Sequence, residues 1–70
     1  MIEEEHDTIA KVNKFLVASV NSYKAGDLSS TCIHLIEANE IFNENEYKLF
    51  SNTAENYSSI IRFIADKSDC

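Results

Sequence analysis

The chain has 70 residues, a formal charge of −6 from twelve acidic and six basic side chains, and 44% apolar residues. A chain this short forms one domain at most and buries only about 60% of the surface its unfolded form exposes, so its stability is a few kcal/mol. Its acidity repels phosphate backbones and anionic headgroups, which argues against direct nucleic-acid or membrane-surface binding and leaves a basic protein partner compatible with the charge.

The N-terminal run Met1-Ile2-Glu3-Glu4-Glu5 is acidic where a secretory leader is basic, and no apolar stretch approaches the roughly 18 residues of a membrane span. A soluble, cytoplasmic protein is the expectation. With no proline and one glycine, the periodicity predicts an all-α single domain over residues 1–70, three helices in an antiparallel hairpin or small bundle.

The first helix is expected from about Ile2 to Lys24, with Glu3, Glu4 and Glu5 complementing the positive end of its dipole. Ile9, Val12, Leu16, Val20 and Tyr23 form its buried stripe, widened by Phe15 and Val17. Gly26 suits the left-handed residue that closes a helix, and Asp27 suits the cap of the next one.

The second helix, about Leu28 to Phe42, places Leu28, Cys32, Leu35, Ile36 and Asn39 on one side, with Ile33 and Ile41 flanking. Asn43 is then expected to cap a third helix, about Glu44 to Asp66, with Glu46 reaching back as in a capping box. The third helix carries the most regular stripe, Tyr47, Phe50, Ala54, Tyr57, Ile61 and Ile64 at alternating intervals of three and four, with Leu49, Ile60 and Phe63 beside it.

Cys32 and Cys70 are too few for the dense disulfide framework of small secreted folds. Cys32 reads as a small buried apolar residue and Cys70 as a mobile thiol, in a reducing compartment. Cys32 and His34 stand two apart, on different helix faces, so neither they nor His6 suggest a metal site. The sequence contains no strained nucleophile turn and no glycine-rich phosphate loop, so catalytic residues, cofactors and a small-molecule substrate are not expected.

Between Phe15 and Asn43 the chain resembles a tetratricopeptide repeat, whose two antiparallel helices meet at a Gly-Asp turn. Relative to Gly26-Asp27, Phe15 falls on the family's large aromatic, Ser19 and Ala38 on its small positions, Leu35 on its large apolar position and Asn43 on its terminal proline. Thr31 replaces the alanine of the tight crossing, and Tyr23 stands one residue from the expected aromatic. The resemblance implies a helical hairpin for protein binding.

Leu35-Ile36-Glu37, Glu46, Phe50 and Ala54-Glu55-Asn56 are also similar to the Hha/YmoA family of small nucleoid-associated modulators, although that family's histidine and its tryptophan-containing C-terminal helix are missing. As a class, small acidic proline-poor helical proteins look like the chaperones and co-chaperones of type III secretion, and like antitoxins and immunity proteins. The apolar stripes exceed what a three-helix layer readily covers. A protein partner or a second copy is therefore the expected cover, with Tyr47, Phe50, Tyr57, Ile61 and Ile64 the candidate partner-binding residues.

Overall fold

The computed structural model describes residues 2–70, with side chains from 5 onward. Met1 and the side chains of Glu3 and Glu4, named above for the acidic first turn, lie outside the described residues. The element order is α1 (Ile2–Lys24), α2 (Leu28–Asn45), a single 3-10 turn (Glu46–Lys48) and α3 (Ser51–Ser68), with no strand among the described residues.

α1 ends in a Schellman turn. Gly26 takes φ +81°, its N–H donates to the Tyr23 carbonyl at 3.0 Å, and the Asp27 N–H donates to the Ser22 carbonyl at 2.9 Å. Asp27 then caps α2 in two ways: its carboxylate accepts from the Ser30 N–H at 3.0 Å and from the Ser30 hydroxyl at 2.7 Å. The chain thus reverses within three residues, and α2 runs back antiparallel along α1.

The buried faces are rotated from the expected ones. Thr8, Val12, Leu16 and Ser19 are the buried residues of α1, while Tyr23 is exposed. On α2 the buried residues are Thr31, Leu35, Ala38 and Phe42, while Leu28, Ile36 and Asn39 face outward. Ser19, Thr31 and Ala38 are each 0% exposed. Small side chains let two helices approach closely, and buried hydroxyls need acceptors. Ser19 Oγ donates to the Leu16 carbonyl at 2.7 Å and Thr31 Oγ1 to the Asp27 carbonyl at 2.8 Å, so each is satisfied within its own helix.

The link to α3 also departs from the sequence expectation. Asn43 does not cap a helix, and Glu46 does not close a capping box: α2 continues to Asn45, and α3 begins only at Ser51. The Asn45 side-chain amide donates to the Ile41 carbonyl at 2.9 Å, supporting the last turn of α2. Leu49 and Phe50 are extended, with ψ of 147° and 151°. The α3 N-terminus has no cap of its own; instead the Phe50 N–H donates to the Glu5 carboxylate of α1 at 2.8 Å.

The cysteines are paired, contrary to the expectation of a buried and a mobile thiol. α3 closes with Asp69 in the left-handed region (φ 59°) and the Cys70 N–H donating to the Ala65 carbonyl at 2.9 Å. That turn folds Cys70 back onto α2, where it is disulfide-bonded to Cys32 with Cα atoms 5.7 Å apart. Neither cysteine is a free thiol, and Cys70 is not a mobile end. Glu5 to Phe50 and Cys32 to Cys70 therefore clamp α3 at both ends, parallel to α1 and antiparallel to α2.

Closing a loop of sequence separation 38 removes chain entropy from the unfolded state. The chain-entropy relation gives a stabilisation of up to about 4 kcal/mol. Reduction, or the pair Cys32→Ser and Cys70→Ser, should lower the unfolding free energy by that order, read from urea melts with and without reductant. A second test concerns Asp27, whose pKa lies below its ordinary 3.8 because the Ser30 N–H, then the Ser30 hydroxyl, donate to its carboxylate. A depressed folded pKa adds stability that is complete above the unfolded value and lost as pH falls through the lowered one. Asp27→Asn should therefore lower the melting temperature at neutral pH, with the gap to the parent closing below pH 3.8.

Candidate functional site: an uncovered apolar surface

The residues named from the third stripe do not share one face. Because α3 starts at Ser51, Tyr47 lies in the 3-10 turn and Phe50 on the extended link, and neither continues the helical seam. Tyr47 is 81% exposed, with the Lys48 ammonium 5.7 Å from its ring centroid, and Phe50 is 59% exposed. Ile61 and Ile64 are buried with Val12, Leu16, Leu35, Ala38 and Phe42 in the apolar core. Tyr57 is half-buried, and its hydroxyl donates to Asn13 Oδ1 on α1 at 2.8 Å.

A different set lines an apolar groove. Between α1 and α3 lies a groove of about 440 Å³ lined by Leu16, Val17, Val20, Tyr57, Ile60 and Ile64, together with Asn13, Asn21 and Lys24. A smaller hollow of about 160 Å³ continues it, between Val20 and Tyr23 on α1 and Phe63, Ile64 and Lys67 on α3. Val17 is 58% and Phe63 62% exposed. The Lys67 ammonium lies 5.4 Å from the Phe63 ring centroid, within cation–π range.

The sequence signal for this surface was the width of two stripes. Val17 broadens the face of α1, and Ile60 and Phe63 stand beside the seam of α3. Periodicity marks such residues as apolar flanks but does not say which flanks face each other across a gap.

Three further features are of a different character. The outer face of α2 exposes Leu28, Ile33 and Ile36. A shallow notch between α1 and α2 is lined by Phe15 and Ile41 with Glu37, Glu40 and Glu44. A hollow of about 610 Å³ is an open polar trough beside α3 that includes Glu46, Glu55 and Arg62.

Among the described residues no three His, Cys, Asp or Glu side chains come together as metal ligands. Cys32 is committed to its disulfide, and His34 Nδ1 lies 3.3 Å from the Glu37 carboxylate one helical turn on. No described helix is long and apolar enough to cross a membrane. No protein-family model, curated protein or solved structure matches the chain.

The split of the third stripe has a measurable consequence. Ile61→Ala and Ile64→Ala should each lower the unfolding free energy by roughly 2–4 kcal/mol through lost burial and a residual cavity. Tyr47→Ala should change it by less than about 0.5 kcal/mol, because an exposed side chain has little packing to lose. Urea melts of the three variants separate core from surface.

Proposed function

We propose that this chain is a protein-binding module of the chaperone or adaptor type, without chemistry of its own, that masks or recruits a partner by sharing apolar helix surface. The observation that carries the reading is the distribution of apolar groups. Seven apolar side chains form the buried core, whereas Val17, Tyr23, Leu28, Ile33, Ile36, Tyr47, Phe50, Ile60 and Phe63 are exposed among the described residues. Fully burying one such side chain contributes about 1.5–3 kcal/mol. A small domain that leaves this much uncovered has a large driving force for association, and contiguous apolar patches mark interaction sites.

The surface charge shapes the kind of partner. A formal charge of −6 disfavours nucleic acid and favours protein surfaces that bring positive charge or apolar groups. A second copy of the chain is the competing cover. The cytoplasmic placement expected from the sequence leaned partly on free thiols; with Cys32 and Cys70 paired, an oxidising compartment is the better-supported setting, because cytosolic thiols are held reduced.

A native pulldown with mass spectrometry, paired with light scattering on the isolated chain, tests the proposal. The parent chain should retain a stoichiometric partner, and Val17→Asp with Phe63→Ser should lose it while keeping helical content and melting temperature. A nucleoid-associated protein in the pulldown would redirect the reading to a transcriptional modulator. A toxin would redirect it to an antitoxin or immunity protein. A stable lone monomer that retains no partner would overturn it.

A further inference from the structure

The α1/α3 groove has a polarity that identifies its occupant more narrowly than apolar area does. α1 and α3 run parallel: Glu5 pairs with Phe50, Asn13 with Tyr57, and Val20 and Ile64 line the same wall farther along. Both C-terminal ends therefore lie at the same end of the groove. Lys24, in the last turn of α1, and Lys67, in the last turn of α3, stand there.

Among the described residues no carboxylate lines either the groove or the hollow that continues it, although the chain has twelve acidic residues and only six basic ones. A lysine near a helix C-terminus is explained by its own helix dipole. The exclusion of carboxylates from the whole lining is not. In an otherwise acidic molecule, the result is an apolar trough with a cationic end.

Resting on the protein-binding reading above, we propose that this groove receives an amphipathic helix of another protein, antiparallel to α1 and α3, with acidic residues in its first turn beside Lys24 and Lys67. The antiparallel sense follows from the dipoles. Two parallel helices direct their negative ends to the lysine end; the positive N-terminal end of an incoming helix offsets those dipoles, and the carboxylates of its first turn face the Lys24 and Lys67 ammonium groups. α2 already packs antiparallel to α1 and α3, and the incoming helix would repeat that arrangement on their open edge. Its length is set by the lining: Asn13 to Lys24 spans roughly 16 Å of helix axis, about three turns.

The test is selection on the intact, disulfide-bonded chain from a phage-displayed library of three- to four-turn amphipathic helices with randomised flanks. Selected clones should be enriched in Asp and Glu within the first turn, and should compete with one another. Lys24→Glu with Lys67→Glu should weaken a synthesised clone by roughly tenfold at low salt, with a smaller effect at high salt. Val17→Asp, at the middle of the groove, should abolish binding while circular dichroism reports an unchanged fold.

Clones with neutral or basic first turns, clones indifferent to Val17→Asp, or no clones at all would overturn the proposal. So would light scattering showing that a second copy occupies the groove. A natural partner recovered by pulldown alongside any of these results would leave the protein-binding reading standing and place its contact on another face.

Discussion

The close crossing of α1 and α2 is the constraint from which the rest of the molecule follows. It depends on three small side chains, Ser19, Thr31 and Ala38, all excluded from solvent. The two hydroxyls bond to carbonyls of their own helices, so burying them leaves no polar group unpaired. A crossing built on small residues brings the backbones together and leaves the larger apolar side chains on the flanks. Phe15, Val20 and Ile41 are consequently only partly buried against the core, and Val17, Ile33 and Ile36 face outward.

α3 closes the core by laying Ile61 and Ile64 against the hairpin, and two bonds distant in sequence set its direction. At one end the Glu5 carboxylate supplies the acceptor that the α3 N-terminus lacks. At the other, a left-handed Asp69 turns Cys70 onto Cys32. α3 is thereby held parallel to α1. The groove between them is a consequence of that placement, and so is the apolar surface that motivates the functional reading.

Local charge differs between the apolar surfaces of this scaffold. The notch beside α2 combines Phe15 and Ile41 with three glutamates, whereas the α1/α3 groove has lysines at one end and, among the described residues, no carboxylate. The net acidity of the chain therefore describes the notch but not the groove. Partner preference depends on the local charge at each one, because exposed charges more than about 10 Å apart are largely screened at physiological salt.

The amino-acid order already specified three helices, because apolar residues three and four apart need no tertiary information to be recognised. The Gly26-Asp27 reversal was equally legible, since a left-handed residue followed by a capping carboxylate is a local device. What the order of residues left open was rotation and pairing. Thr8, Ser19 and Thr31 are polar by composition and buried only because another helix covers them, and Tyr23, Leu28 and Ile36 are apolar by composition and exposed because nothing does. The regular spacing of Tyr47 and Phe50 with α3 was misleading, since the link from Glu46 to Phe50 leaves the helical path and only three-dimensional chain reversal separates it from the seam. The disulfide was hidden for the same reason: two cysteines 38 positions apart meet only after α3 has been laid back along α2. Periodicity is a property of one helix, whereas burial, pairing and the open groove are properties of how helices face one another.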